Sequence, residues 1–145
     1  MIRYDVMTAR PRALRTADLR SVGRALASAL RLRTPAEVAV RFIALKPMAT
    51  LNRAQLGKNR PTDVLAFPAA TLPLPKTGGP KFLGDLAICP PYAQAEAKRR
   101  GIESTEELKR LLIHGTLHLM GYDHVREDEE AKMFALQERV LEQVS

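Results

Sequence analysis

With 145 residues, of which 46% are hydrophobic and 27% charged, the chain has the composition of one soluble globular domain spanning residues 1–145. No run approaches the roughly 18 apolar residues of a membrane span, and the single cysteine, Cys89, excludes an internal disulfide. The net charge of +7 is unevenly distributed, because residues 1–60 hold 13 basic and 3 acidic side chains whereas residues 61–145 hold 10 basic and 13 acidic ones. The basic first half favours a polyanionic partner, although solvated arginine-rich helices would explain the same excess of positive charge.

The first half of the chain predicts two strands and two helices. Residues 2–7 alternate weakly between apolar and polar side chains, as a strand does, and residues 37–45 are rich in Val, Ile and Phe. Between them, Thr16 is expected to be an N-cap residue, and the helix behind it ends before Pro35. A short second helix is predicted over residues 50–57. The apolar stripe of the first helix has helical spacing and consists of Leu19, Val22, Leu26 and Leu30.

The second half predicts two further strands before its helices. The strands are expected over residues 62–67 and 82–89, on either side of a proline- and glycine-rich loop at residues 68–80. A helix over residues 90–100 begins with two prolines and is followed by Gly101, which can end it.

Two more helices complete the chain. Ser104 and Glu107 have the spacing of a capping box, with Ser at the N-cap and Glu at N3, which predicts a helix over residues 105–120. That helix is apolar nearly all round, so we expect it to be central and buried. A last helix is predicted over residues 126–144, with acidic residues in its first turn. The element order predicts an α+β fold, a single mixed sheet of about four strands with about five helices.

All three histidines of the chain lie within one eleven-residue stretch. His114 and His118 are four residues apart, so on a helix they share one face, about 40° apart. His124 follows Gly121, which can end the helix and turn the chain back. Three imidazoles without a cysteine partner indicate a metal site with a fourth position left for water. Zinc is favoured, and nickel, copper and iron remain open.

The same spacing matches the frame of the metzincin proteases, H-E-x-x-H-x-x-G-x-x-H, with Gly121 in the glycine position. In those enzymes the residue after the first histidine is the glutamate that acts as general base. Here that residue is Gly115, which cannot move a proton. Peptide hydrolysis is therefore disfavoured. Another hydrolysis stays open, because a zinc-bound water can ionise near a pKa of ~7 without a carboxylate.

The stretch at residues 114–124, H-G-T-L-H-L-M-G-Y-D-H, resembles the H-G-x-L-H-L-x-G-Y-D-H signature of the YbeY family, bacterial endoribonucleases of ribosomal RNA maturation. The likeness continues, in order, over roughly residues 45–140. Its further parts are Asn52, the segment P-T-D-V-L-A-F-P at residues 61–68, L-G-D-L at residues 83–86, and Glu107, seven residues before the first histidine.

The resemblance implies a zincin-like fold whose central helix bears the metal, with one zinc ion held by His114, His118 and His124. It implies a cytoplasmic, single-strand endoribonuclease that acts in 16S ribosomal RNA 3′-end maturation and in ribosome quality control. The expected partners are ribosomal RNA and the small ribosomal subunit, with no membrane and no DNA. The basic first half is what an RNA partner needs, because neutralised phosphates supply much of the affinity for nucleic acid.

The chain departs from the family's pattern at Gln55 and Leu56, where the family usually carries Tyr-Arg and the arginine is regarded as functionally important. The candidate RNA-binding replacements are Arg53, Lys58 and Arg60. An arginine there would stabilise the charge that develops on a phosphate. The equal alternative is that all three are ordinary surface cations.

The remaining assignments are less specific. Asp123 is predicted to orient a ligand histidine, and beyond a zinc-bound water no catalytic group is identified. Asp63 is expected to be structural and Cys89 to be a small, buried apolar side chain in a reducing, cytoplasmic setting. The alternative function is a non-catalytic ribosome-assembly factor with a structural zinc, and a metal assay paired with RNA cleavage separates the two.

Overall fold

The computed structural model describes residues 1–69, 79–122 and 126–145. Four strands and five helices follow one another in the predicted order, so the α+β class is confirmed. The elements are β1 (Ile2–Val6), α1 (Thr16–Ala29), β2 (Ala36–Phe42), α2 (Leu45–Leu56), β3 (Val64–Pro68), β4 (Lys81–Ile88), α3 (Pro90–Arg100), α4 (Ser104–Leu119) and α5 (Glu127–Val144).

The four strands form one mixed sheet in the order β1-β2-β4-β3. The first three strands in that order are parallel, and β3 lies antiparallel to β4 at the edge, with Val64 opposite Ile88 and Pro68 opposite Gly84. Parallel neighbours need crossover connections, which is why a helix stands between β1 and β2 in the chain. Among the described residues, β3 has a strand partner on one side only, and β3 borders the cleft described below.

The main core lies between one face of the sheet and the helices α1, α4 and α5. The prediction that α4 is central and buried is confirmed, because Leu112, Ile113 and Leu117 expose none of their surface. A buried polar contact also ties β1 to α4, since the Tyr4 hydroxyl lies 2.7 Å from Thr116 Oγ1. Burial raises the pKa of the Tyr4 phenol, so the hydroxyl keeps its proton.

A smaller apolar cluster covers the opposite face of β3 and β4, where α2 packs. It contains Met48 of α2 with Leu65, Ala87 and Cys89. The expectation for Cys89 is confirmed, because the side chain is fully buried and unpaired with another cysteine. Burial raises the pKa of its thiol, and the negative charge of Asp63 adds to that effect.

In the described ranges, no helix combines the length and apolarity that crossing a bilayer requires.

Three predicted boundaries were wrong. The second helix begins at Leu45, five residues before the predicted start, and the preceding strand therefore ends at Phe42. Pro47 lies in the first turn of this helix, a position where its missing N–H costs nothing. The N-cap of α1 is Arg15 rather than Thr16, because the Asp18 carboxylate accepts the Arg15 backbone N–H at 2.8 Å.

The predicted capping box of α4 is also wrong. The N-cap is Glu103, and Ser104 is the first helical residue. The Glu107 side chain does not reach back to the start of the helix. It is buried instead and accepts hydrogen bonds from Arg100 at 3.0 Å and from Arg110 at 3.2 Å. The burial of a carboxylate next to two guanidinium groups outweighs local capping.

Candidate metal centre and cleft

His114 and His118 converge at the C-terminal half of α4. Their Nε2 atoms lie 3.2 Å apart, and the two rings are nearly perpendicular, at 77°. Two imidazole nitrogens on a tetrahedral zinc, each ~2.0–2.1 Å from the metal, would lie about 3.3–3.4 Å apart. The pair therefore fits two positions of a zinc coordination shell without rearrangement of the helix.

The other ring nitrogen of His114 is held by α5. Nδ1 lies 2.8 Å from Oε1 of Gln137, which is 3% exposed. With the amide oxygen as acceptor, Nδ1 carries the proton and Nε2 presents its lone pair toward His118. The Gln137 Nε2 donates to Glu138 at 3.2 Å, which is consistent with this orientation of the amide.

Behind Gln137, a chain of hydrogen bonds between oppositely charged side chains connects α5 to α4. Glu138 accepts two hydrogen bonds from Arg110, each of 3.2 Å, and Arg110 also donates to Glu107. Burial alone would raise the pKa of Glu138, but the hydrogen bonds from Arg110 and Gln137 outweigh it and hold that pKa below its ordinary value. Glu138 therefore stays ionised, and its hydrogen bonds with Arg110 hold α5 against α4.

The position after the first histidine is tightly packed. A Cβ on Gly115 would lie 2.7 Å and 3.2 Å from the two Leu86 methyl groups and 3.3 Å from Val64 Cγ2. A side chain here would therefore displace the Leu86 side chain. Glycine avoids that rearrangement, and it supplies no general base of the metzincin kind.

An open cleft of about 560 Å³ leads to the histidine pair. The α4 side contributes His114, Gly115 and His118, and the opposite side is formed by β3 and the end of α2. The lining of the opposite side is largely apolar, and Leu56 at its rim is 60% exposed. The remaining residues around the cleft are Gln55, Asp63, Val64, Leu65, Ala66, Phe67, Pro68, Gly121 and Tyr122.

Among the described residues lining the cleft, Asp63 is the sole carboxylate. Its Oδ1 accepts the Val64 backbone N–H at 2.7 Å and lies 3.4 Å from the Thr62 hydroxyl. These contacts suit the structural role expected of it at the start of β3.

The three predicted RNA-binding cations do not line the cleft, although they flank Gln55 and Leu56 in the chain. Arg53, Lys58 and Arg60 are exposed, and none of the ion pairs found within the described ranges involves them. The segment that carries Arg60 is tied to α2, because Asn52 Nδ2 donates to the Arg60 carbonyl at 2.9 Å. Asn52 is buried, and within the part of the chain that the structure describes its Oδ1 has no hydrogen-bond partner. The structure thus gives Asn52 a role in positioning that segment, and the roles of the three cations stay predictions.

Two predicted site residues, His124 and Asp123, lie outside the described residues. In the ranges 1–69, 79–122 and 126–145, no three potential metal ligands form a cluster. Of the predicted metal ligands, these ranges bring His114 and His118 together. The zinc site as a whole stays a prediction.

Sequence reasoning missed Gln137. A signal was present, because this polar residue stands within the apolar stripe of α5 between Met133 and Val140, all three of them buried. A buried amide on an apolar stripe requires a partner, although the periodicity does not identify which one.

Comparison with known proteins identifies the family of the chain. The family model described as endoribonuclease YbeY matches residues 10–145. The chain belongs to the YbeY family. Curated relatives named endoribonuclease YbeY include one from Thermobifida fusca, 40% identical over 126 residues that cover 85% of this chain and 81% of the relative. Another, from Nocardia farcinica, is 39% identical over 131 residues, 87% of this chain and 71% of the relative.

A solved structure agrees with this membership of the YbeY family. The solution structure of a Thermotoga maritima protein aligns with 99% of this chain and 89% of its own, with a TM-score of 0.64 and 26% identity. The fold described above is therefore shared over nearly the whole chain with an experimentally determined relative.

Proposed function

We propose that this chain is a zinc-dependent, single-strand endoribonuclease that matures the 3′ end of 16S ribosomal RNA and takes part in ribosome quality control. Its partners would be ribosomal RNA and the small ribosomal subunit, and its location the cytoplasm. The observation that carries the proposal is the 3.2 Å approach of the His114 and His118 Nε2 atoms beside an open cleft. Membership of the YbeY family, whose curated relatives are named endoribonucleases, supports the reaction class.

The residues of the chain suit a metal-assisted cleavage. His114 and His118, with His124 as the predicted third ligand, would hold zinc, and Gln137 would keep His114 in the tautomer that can bind it. Bound zinc would supply Lewis acidity, which lowers the pKa of a water molecule to ~7 and polarises a phosphoryl oxygen. The open cleft keeps these nitrogens accessible to a substrate, which favours a catalytic over a structural metal.

The cleft lining also favours a single-stranded substrate. Leu56, Phe67 and Tyr122 present apolar and aromatic surface around the histidines. Unpaired bases can stack on such side chains with little dependence on sequence, whereas bases inside a duplex are not available for stacking. Arg53, Lys58 and Arg60, exposed residues next to Gln55 and Leu56 in the chain, would meet phosphates that flank the bound bases.

The test compares wild type with His118→Ala and with Arg139→Gln, an exposed control on α5. Zinc content and cleavage of single-stranded RNA are measured on all three. We expect about one zinc per chain in wild type and control, and loss of both zinc and cleavage in His118→Ala. RNA cleavage that persists in a metal-free His114→Ala/His118→Ala/His124→Ala protein would overturn the proposal.

One observation favours a second candidate, a non-catalytic ribosome-assembly factor with a structural zinc. Leu56 stands where the family usually carries arginine, and in the structure it is an exposed, uncharged residue at the rim of the cleft. Zinc-replete protein that binds ribosomal RNA at low salt but does not cut it would favour this candidate over the nuclease.

A further inference from the structure

Three exposed arginines on α1 and just after it have no role in the site described above. Arg20, Arg24 and Arg31, here named the arginine stripe, are all exposed. Arg20 and Arg24 are one turn apart on α1, outside its buried face, and Arg31 follows the C-cap residue Leu30. From Arg20 to Arg31 the stripe extends over roughly 16 Å, from the rise of an α-helix.

Nothing in the described ranges neutralises the arginine stripe. None of the ion pairs found there includes Arg20, Arg24 or Arg31. The one acidic residue of α1, Asp18, is buried and pairs with Arg15 at 3.1 Å and with Lys109 at 3.5 Å. Two arginines spaced four apart repel each other and slightly weaken the helix, so their placement does not serve the stability of α1.

Arg31 provides a second, independent observation. It is the one non-glycine residue with positive φ in the described ranges, at φ 53°. Its N–H bonds to the Ser28 carbonyl at 3.1 Å, and the Leu32 N–H bonds to the Ala27 carbonyl at 3.0 Å, which is the Schellman pattern. Glycine is strongly favoured at this position, because a side chain is strained there. The chain thus keeps an exposed arginine where helix termination favours glycine.

We propose that the arginine stripe binds the phosphates of RNA, as a contact site separate from the cleft. This inference rests on the proposed function, since it names how the same substrate is held. The stripe lies on α1, which packs against β1 and α5, whereas the cleft borders β3 at the opposite edge of the sheet. Three strand spacings, about 14 Å, separate these edges, so one RNA must be several nucleotides long to reach both sites.

The first experiment measures RNA affinity against salt concentration. Arg20→Gln/Arg24→Gln/Arg31→Gln is compared with Lys81→Gln/Lys98→Gln/Arg139→Gln, an exposed control triple with the same change in net charge. For a single strand of about 30 nucleotides at about 0.15 M salt, the stripe triple should bind roughly 10- to 50-fold more weakly, and the slope of log K against log salt should fall by about 2. Cleavage of a dinucleotide should be unchanged, because it is too short to reach from the cleft to the stripe.

The second experiment uses Arg31→Gly, for which a purely structural role and RNA binding predict different results. Glycine removes the backbone strain, so the melting temperature should stay equal or rise by about 1–3 °C. Affinity for the long RNA should nevertheless fall several-fold. A matched Arg33→Gly variant, altered at the next exposed arginine outside the stripe, is the control for loss of one charge.

The outcomes separate the two proposals. Wild type that neither binds nor cuts RNA defeats the proposed function and this inference with it. Wild type that cuts RNA, with equal loss of affinity in the stripe and control triples, overturns the inference alone. The inference is also overturned if the stripe triple keeps its affinity for RNA but loses binding to vesicles of phosphatidylserine and phosphatidylcholine. The stripe would then bind a membrane surface.

Discussion

The two sides of the cleft are held in place by different means. On the α4 side, His114 is fixed by a buried glutamine, and Gly115 lies so close to the sheet that a Cβ would displace the Leu86 side chain. On the α2 side, Leu56 is exposed at the end of its helix, and within the described residues the buried Asn52 Oδ1 lacks a hydrogen-bond partner. The first side belongs to the main core, whereas the second depends on the smaller cluster around Met48, on exposed residues and on one hydrogen bond.

This difference shows where the chain can change without losing its fold. A substitution on the α4 side disturbs core packing or the metal site, so it should appear in stability or metal affinity. Gln55 and Leu56 are exposed residues of the cleft lining, so a substitution there should alter the cleft surface with little effect on the core. Under the proposed function, the departure from the family's Tyr-Arg at these two positions would affect the handling of phosphate and leave the zinc site untouched.

The largest expected effect is on the α4 side, at Gln137. Gln137→Leu removes the acceptor for the His114 Nδ1–H, so the ring loses its fixed tautomer and orientation. Zinc affinity should fall about 10- to 100-fold, measured by competition with a chelator of known affinity.

Gln143→Leu is the matched control, because it makes the same substitution at an exposed glutamine of α5. Its zinc affinity should stay within about threefold of wild type. Equal affinity in Gln137→Leu and wild type would show that α5 does not position the metal ligand and would remove the asymmetry between the two sides.

The next effect concerns Gly115 and is measured as stability. Gly115→Ala forces a methyl group against Leu86 and Val64, at an overpacking cost of about 1–3 kcal/mol, which the better helix propensity of alanine offsets by ~1 kcal/mol. We therefore expect a net loss of up to about 2 kcal/mol in urea unfolding.

A double-mutant cycle with Leu86→Val tests the cause. Removing one methylene group from Leu86 makes room for the new Cβ, so the coupling energy should be favourable by about 1 kcal/mol. Additive losses would mean that the space behind Gly115 is not set by Leu86.

The sequence predicted the α4 side better than the α2 side for a physical reason. Helix period, the i, i+4 histidines and the glycine between them are local, so α4 and its two ligand positions could be read from a short stretch. The start of α2 depends on Met48 packing against Leu65 and Ala87 across the sheet, which no local pattern contains.

Contacts between distant residues were likewise not predictable. Gln137 meets His114 across 23 positions of the chain, and Glu107 binds Arg100 rather than the start of its own helix. The predicted capping box failed because the buried ion pairs of Glu107 are more favourable than a cap bond at the surface.

On the α2 side, Leu56→Arg tests whether the family's arginine still has a place in this cleft. The side chain is 60% exposed, so stability should change by less than about 0.5 kcal/mol. A guanidinium at the rim would stabilise charge on the phosphate, and kcat/KM for RNA should rise about three- to tenfold. Leu56→Gln, polar but uncharged, should stay at the wild-type rate. An unchanged rate in both variants would indicate that Arg53, Lys58 or Arg60 already fills this role.

The smallest expected effect is the pH dependence of the stability that the Glu138–Arg110 hydrogen bonds contribute on the α4 side. The pKa of Glu138 is lowered in the folded protein by Arg110 and Gln137, which together outweigh its burial, so the unfolded chain binds its proton more readily. The stabilisation is therefore present above the ordinary glutamate pKa and is lost as pH falls through the lowered folded value. Because the Glu138 side chain is 39% exposed, solvent screening limits the effect to under about 1 kcal/mol. Urea unfolding of wild type and Glu138→Gln between neutral pH and about pH 3 should show a difference at neutral pH that shrinks on acidification. A difference that is independent of pH would mean that Glu138 supports α5 by packing alone, and the α4 side would then depend on Gln137 without an ionic contribution.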